Sequence, residues 1–303
     1  MQTLNHPTQA LTTVTGTHFH ALRRMIREAM QQAVLIMFLA MSLIPGGDAA
    51  GKMLSSSLGV SPLFVAWSRF AVGTVLILPF LPEGTFGLLR DKRVWLRALC
   101  LTCGITSIQF ALQQAEIATV FAAFFIGPVI SFILAAVFLR EPVTWLRIML
   151  IVVGFGGVMM VVRPGMGGEP GVIWAVLAGC FYGAFLTMSR WLSDVGKPMA
   201  LTFSQLFIST IVLMPFGLAT LPALTVQTGT LTLTSGACSM LGNLLLLYAY
   251  RIAPATRLAP LVYFQLIAAV ALGWIVFGDL PDAWTWAGLV LIIGAGLWST
   301  RAR

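Results

Sequence analysis

Long apolar stretches alternate with short clusters of proline, glycine and charged residues from about residue 30 to the end of the chain. A bilayer core about 30 Å thick is crossed by about 20 mostly apolar residues in an α-helix. Ten stretches of about that length can be marked, at 32–56, 62–81, 94–113, 117–139, 145–162, 171–191, 198–220, 231–250, 254–277 and 284–300. The connections between them are too short to fold as a soluble domain. The pattern predicts an all-α membrane protein with ten transmembrane helices.

The composition agrees with a chain that is surrounded by lipid. Of 303 residues, 58% are hydrophobic and only 9% are charged, and the mean hydropathy is +0.93. A soluble domain carries about 25% charged residues because its surface must face water. These values exclude an ordinary cytosolic enzyme and almost any nucleic-acid-binding protein.

The positive charges predict the orientation in the membrane. Fifteen of the 18 Lys and Arg residues, Arg97 among them, fall in segments that are cytoplasmic if the N-terminus is cytoplasmic. Only Lys52 and Arg163 fall outside, and Arg69 lies within the second span. This bias follows the positive-inside rule, so both termini are expected in the cytoplasm. The net charge of +8 is therefore an orientation signal, and no nucleic-acid partner is expected.

The second half of the chain repeats the first at an offset near 137 residues. Pro62 matches Pro198, and Thr106 matches Asn243. We predict a cytoplasmic tail over 1–28, a first five-helix repeat over 29–163 and a second over 164–303. Because five is odd, the two repeats must insert with opposite topology. Inverted repeats with a binding site between them are typical of secondary transporters.

At this point the chain resembles the EamA branch of the drug/metabolite transporter superfamily over about residues 30–300. The features that carry the resemblance are Asp48 and Lys52 in the first span, Trp67-x-Arg69 in the second, the run from Ala115 through Pro128 to Glu141-Pro142, the glycines at 154–157, Tyr182, Pro198, the run Ala253–Pro260, Asp279 and the glycines at 294–296. The family often has proline in the ninth span, where this chain has Gln265. The resemblance implies import or export of amino acids, nucleotide-derived metabolites, vitamins or drugs across the bacterial inner membrane.

Polar side chains recur on one face of the third span and in the matching eighth span. They are Thr102, Thr106, Gln109 and Gln113 in the third span, and Ser239 and Asn243 in the eighth. Spacings of four, three and four residues place the first set on one helical face. We expect the two stripes to line a central cavity, with further walls from Tyr182, Phe124, Tyr263 and Gln265. The alternative is that they form hydrogen bonds between helices.

Three charged residues lie in the first two spans. Asp48 and Lys52 are four residues apart on one face of the first span, and Arg69 is in the second. They form either an ion-pair network that closes the outer side, or a functional site. In the second case Asp48 would bind a proton or a substrate ammonium group, and Arg69 would bind a carboxylate.

These observations predict a secondary transporter that works by alternating access on a small organic metabolite, with export of an aromatic or apolar amino acid as the first expectation. Import of a vitamin or nucleoside-like metabolite, such as riboflavin or S-adenosylmethionine, is the alternative. An enzyme is not expected, since all three histidines lie in the first 20 residues and neither HExxH nor GxxxxGK[ST] occurs. A channel is disfavoured because it needs rings of like residues from several subunits. We expect no cofactor, no metal and no catalytic residue, and a monomer or weak dimer among membrane lipids.

Overall fold

The computed structural model describes residues 8–138, 140, 145–162, 170–192, 195–252 and 264–299. Every regular element within these ranges is helical. The helices are α1 (Thr8–Lys52), α2 (Pro62–Ile77), α3 (Lys92–Gln114), α4 (Ile117–Phe124), α5 (Ile126–Phe138), α6 (Trp145–Val162), α7 (Val172–Trp191), α8 (Pro198–Ala219), α9 (Val226–Ile252), α10 (Phe264–Leu272) and α11 (Ala283–Ser299). π-helical turns at Met53–Ser57 and Gly273–Phe277 continue α1 and α10.

Six helical segments within the described ranges are long and apolar enough to cross a membrane. They are Gln31–Ser57, Pro62–Phe80, Lys92–Gln114, Ile117–Phe138, Val172–Ser189 and Pro198–Ala219. Three shorter apolar helices lie at Ile148–Val161, Phe264–Phe277 and Ala283–Ala295. The chain is thus an all-helical integral membrane protein. The count of ten spans and their orientation stay predictions.

Two elements differ from the expected pattern. Helix α1 begins at Thr8, so most of the stretch expected to be a tail is helical and continuous with the first span. The fourth span is divided at Phe125, whose N–H bonds to the carbonyls of Phe121 and Ala122. The cause is Pro128, which has no N–H to donate and whose ring clashes with the carbonyl four residues earlier, that of Phe124. The helix therefore stops and restarts there.

Local sequence sets several helix starts. Ser61 caps α2, its hydroxyl accepting from the Leu63 N–H at 3.3 Å. Asp91 caps α3, its carboxylate accepting from the Arg93 N–H at 2.9 Å. Hydrogen bonds from the Arg93 side chain hold the pKa of the Asp91 carboxyl below its ordinary value. The repeat-matched Pro62 and Pro198 each occupy the first helical position of α2 and α8, where the missing N–H costs nothing.

Helices from the two halves of the chain pack against each other. The most extensive contact joins α1 to α9; α3 and α5 also pack on α7 and α2 packs on α8, each pair crossing from the first half to the second. Helix α6 packs on α11, where Gly157 and Gly288 bring the backbones together. The largest buried cluster lies between α3, α4, α6, α7, α10 and α11, with Ala49 of α1, and it contains the fully buried Phe121, Leu112 and Ile117. Helices α1 and α2 each contact both α3 and α9, and several of the predicted polar residues lie on these four helices.

Candidate functional site

A buried ion pair links α1, α2 and α9. The Arg69 guanidinium donates to the Asp48 carboxylate, and the two residues are only 6% and 3% exposed. Arg69 also donates to the Ser239 hydroxyl at 2.6 Å. Ser239, predicted to bind substrate, thus accepts a hydrogen bond from a protein cation. One helical turn earlier on α9, the Ser235 hydroxyl donates to the Gly47 carbonyl at 2.7 Å.

Lys52 reaches away from Asp48 and contacts the second half of the chain. Its Nζ donates to the Ala115 carbonyl at 2.9 Å and to the Asp279 carboxylate at 3.3 Å. It also lies 4.8 Å from the centroid of the Phe277 ring. Asp48 and Lys52 thus share a helical face but have different partners. Asp279 carries part of the family resemblance but is not among the residues predicted for the site.

The two ends of the polar stripe on α3 form hydrogen bonds to other elements, whereas its two middle positions do not. At the end of the stripe that we predict to face the cytoplasm, the Thr102 hydroxyl donates to Ser209 of α8 at 2.7 Å. At the other end, the Gln113 amide donates to the Ser55 carbonyl at 3.5 Å, a long bond. Thr102 and Gln113 therefore form hydrogen bonds to neighbouring elements, which is the alternative to lining a cavity.

The two middle positions of the stripe have no hydrogen-bond partner among the described residues. The unpaired buried atoms there are the Thr106 hydroxyl and both polar atoms of the Gln109 amide. Gln109 is fully buried. A Cβ at Gly51 would lie only 2.7 Å from the Gln109 amide oxygen, so the amide lies close to the backbone of α1 and a side chain at Gly51 would displace it. A buried polar group without a partner costs about 1–3 kcal/mol, and in a native protein it calls for an explanation.

Asn243 and Gln265 are less deeply placed than the sequence implied. The Asn243 side chain is exposed, and its amide donates to the Ser239 carbonyl on its own helix at 2.8 Å. Gln265 is half-buried. No hydrogen bond among the described residues joins Asn243 to Thr106, its repeat match. Tyr263 lies outside the described residues.

Aromatic side chains form a column from α4 across α7. The Phe124 and Tyr182 ring centroids are 4.8 Å apart, and those of Tyr182 and Phe185 are 5.8 Å apart. The column ends at the Arg97 guanidinium, 4.6 Å from the Phe185 centroid. Arg97, counted above with the cytoplasmic charges, is 7% exposed and sits inside the bundle. The burial of Arg97 could not be predicted, because Arg97 follows Arg93 at helical spacing and that pattern equally fits a solvated face.

The predicted substrate residues line neither of two cavities that lie among the described residues. One, of about 430 Å³, is lined by Lys197 and Tyr248 with neighbouring residues of α8 and α9 and of the segment after α2. The other, of about 410 Å³, is an apolar groove between α10 and α11. Within the described part of the chain, no cluster of three or more His, Cys, Asp or Glu is placed to hold a metal.

Comparison with known proteins gives one family. The sequence profile of the EamA-like transporter family matches twice, over residues 31–163 and 169–301. A crystal structure with 16% sequence identity shares the fold with a TM-score of 0.63, covering 90% of this chain and 97% of that one.

Three curated relatives illustrate the range of substrates. An S-adenosylmethionine uptake transporter of Rickettsia bellii is 27% identical over 82% of this chain and 88% of its own length. A riboflavin transporter of Brucella anthropi is 26% identical over 84% of this chain and 93% of its own. A pseudopaline exporter of Pseudomonas aeruginosa is 27% identical over 92% of this chain and 99% of its own. The relatives include both uptake and export, and all move small molecules.

Proposed function

The chain belongs to the EamA-like transporter family, and on that premise we propose that it is a secondary transporter of the bacterial inner membrane working by alternating access. In this proposal ten helices form two inverted repeats with both termini in the cytoplasm. The protein works as a monomer or weak dimer without a cofactor. The close packing of first-half helices on second-half helices supports a mechanism in which the two halves move relative to each other.

The observation that carries the proposal is the unpaired polar pair on α3. Thr106 and Gln109 keep one hydroxyl and one amide without partners at the level where α1, α2 and α3 meet. An amide offers both donors and an acceptor, so it can bind several polar groups of a metabolite. We propose that these two residues contact substrate when the site opens. Asn243, Gln265 and Tyr263 would contribute further contacts, with Gln113 and Ser239 at the edge.

The substrate class is proposed from the rings and the relatives together. The adjacent, half-buried rings of Phe124, Tyr182 and Phe185 offer flat faces, and such faces favour another planar ring. S-adenosylmethionine and riboflavin, named for two relatives, each contain a planar nitrogen heterocycle. We therefore propose uptake of a metabolite with a planar heterocycle. Export of an aromatic or apolar amino acid, the first expectation from the sequence, has no support among the named relatives.

Flux into proteoliposomes tests the proposal. Labelled riboflavin, S-adenosylmethionine and tryptophan are supplied outside, with and without unlabelled compound inside. A carrier gives saturable uptake that internal unlabelled substrate accelerates, and we expect this for a heterocyclic compound. Saturable counterflow of tryptophan alone would restore the amino-acid hypothesis. Flux that never saturates would indicate a channel and contradict alternating access.

Two variants on the same helix tie the flux to the site. Gln109→Met removes the unpaired amide at similar volume, and we expect uptake to fall by at least tenfold at low substrate concentration. Gln114→Met is the matched control, since Gln114 is exposed on α3. Equal flux in the two variants would contradict the assignment of Gln109 to the site.

A further inference from the structure

Arg97 is a buried cation without a carboxylate partner among the described residues. Its Nε donates to the Ser189 hydroxyl at 2.8 Å, and its Nη1 donates to the Leu201 carbonyl at 3.2 Å. Both partners are neutral. The two other cations buried within the described part of the chain have acidic partners, Asp48 for Arg69 and Asp279 for Lys52. Among these three buried cations, Arg97 is therefore the one whose described partners are both neutral.

A buried charge with no acidic partner among the described residues is costly, so its presence inside the bundle calls for an explanation. Moving an ion from water into a protein interior is unfavourable, and ionisable residues inside membrane segments mark substrate and ion pathways. A guanidinium has five N–H donors, and the described contacts of Arg97 use two of them. The remaining donors include the Nη2 group and one N–H of Nη1, which together form the end of the fork. That end matches the two oxygens of a carboxylate.

The rings beside Arg97 complete a site that suits a ligand with both a planar ring and a carboxylate. Phe185 lies under the guanidinium at 4.6 Å, and Tyr182 and Phe124 continue the column onto α4. All three rings are half-buried. A ligand ring can stack on such faces while its carboxylate reaches the fork. A carboxylate without a ring would lack the stacking contact, and a neutral ring would bring no negative charge to Arg97.

We propose that Arg97, Phe185 and Tyr182 form a recognition site for a planar-ring carboxylate. The site lies on the face of α3 directed at α7, where Gly104 approaches the backbone of Ala178 and Tyr182. The stripe of Thr106 and Gln109 is on a different face. This inference rests on the proposed function and deepens it, because it makes the transported metabolite an anion-bearing aromatic or heteroaromatic compound.

Binding of matched acid and amide probes tests the site. The full-length protein in zwitterionic lipid is titrated with indole-3-acetate and indole-3-acetamide, and with nicotinate and nicotinamide. Within each pair the ring is the same and only the charge differs. We expect at least one acid to bind ten or more times more tightly than its amide and to raise the Tm accordingly. Equal binding within both pairs, or binding by no acid, would overturn the proposal.

Variants separate recognition from folding. Arg97→Gln should bring the acid-to-amide affinity ratio close to one, and Arg97→Lys, which keeps the charge but loses the fork, should lower it at least threefold. Arg93→Gln is the control, because Arg93 is exposed and pairs with Asp91. Phe185→Leu should weaken acid and amide equally. If Arg97→Gln does not fold, the Lys and Leu variants decide, and an unchanged ratio in Arg97→Lys would count against the site.

An incorrect transport function and an incorrect assignment of Arg97 would give different experimental results. If the wild-type protein gives no saturable flux with any compound in proteoliposomes, the transport function itself is wrong. If flux and counterflow occur but neither probe pair distinguishes acid from amide, only the assignment of Arg97 is wrong.

Discussion

Lys52 and Asp279 form an ion pair, Nζ to Oδ2 at 3.3 Å, across the two halves of the chain. Each residue lies beside a π-helical turn, Met53–Ser57 after α1 and Gly273–Phe277 after α10. π-Helical turns are rare and occur often at functional positions. The same ammonium group donates to the Ala115 carbonyl at the end of α3. One side chain thus joins three elements at the end of the bundle that we predict to face outward, and an outward opening must break these contacts.

The first prediction follows from this pair. Asp279→Asn removes one charge, and because Asp279 is partly exposed, the loss should lie between that of a surface and of a buried pair, about 1–3 kcal/mol. We expect outward-open forms to become more populated. In a variant without native cysteines, a cysteine at Gln109 should then react faster with a water-soluble thiol reagent added outside. Asp91→Asn, which breaks an exposed pair elsewhere, should leave the rate unchanged. A rate unaffected by Asp279→Asn would mean that this pair does not close the site.

Because the Gln109 amide is unpaired among the described residues, replacing it should change stability and transport in opposite directions. Gln109→Met removes buried donors and an acceptor that have no described partner, so it should stabilise the substrate-free protein by about 1–3 kcal/mol. We expect the Tm of the purified protein to rise while transport falls. Gln114→Met should change neither. A lower Tm in Gln109→Met would show that the amide has a partner in the folded protein and belongs to helix packing.

The family and the helical membrane fold could be predicted from the sequence because both depend on local patterns. An apolar stretch of sufficient length forms a helix in a bilayer. The family match confirms the first expectation, and the observed helices confirm the second. The pairing of individual side chains could not be predicted. The partner of Lys52 lies 227 positions along the chain, whereas Asp48 lies four positions away and was the obvious choice. The surroundings of Arg97 could not be predicted for the same reason. Helical spacing shows on which face of α3 the residue lies, but it does not show which element packs against that face.

The Asp48–Arg69 pair gives a test that separates a structural role from proton coupling. Asp48→Asn leaves the 6% exposed Arg69 without its carboxylate, and breaking a buried pair costs about 3–5 kcal/mol. We expect a large drop in Tm that the double variant Asp48→Asn/Arg69→Met largely reverses. If Asp48 instead carries a coupling proton, Asp48→Asn should fold normally and lose only the dependence of flux on the pH gradient. Both variants are measured for Tm and for flux with and without a gradient.

Two neighbouring glycines of α6 should respond to alanine with opposite signs. A Cβ at Gly157 would lie 2.8 Å from the Gly288 carbonyl oxygen, whereas a Cβ at Gly156 would meet nothing within 4 Å. Gly157→Ala must push α11 away and should cost about 1–3 kcal/mol. Gly156→Ala should stabilise by about 0.5–1 kcal/mol, because alanine loses less backbone freedom in a helix. Tm values of the two variants check this, and equal shifts would contradict the α6–α11 contact.

Asn243 gives the last prediction, because its surroundings separate binding from stability. Its side chain is exposed, and its described hydrogen bond goes to the Ser239 carbonyl on its own helix. Asn243→Leu keeps a similar volume and removes a bond that joins no second element, so the Tm without substrate should hardly change. If Asn243 contacts substrate, the variant leaves a polar ligand group unpaired and should weaken binding by about 1–3 kcal/mol. Thr234→Val is the matched control, since Thr234 is also exposed on α9 and bonds to the Thr230 carbonyl of the same helix. Unchanged affinity in Asn243→Leu would remove this residue from the site and leave Thr106 and Gln109 as its polar centre.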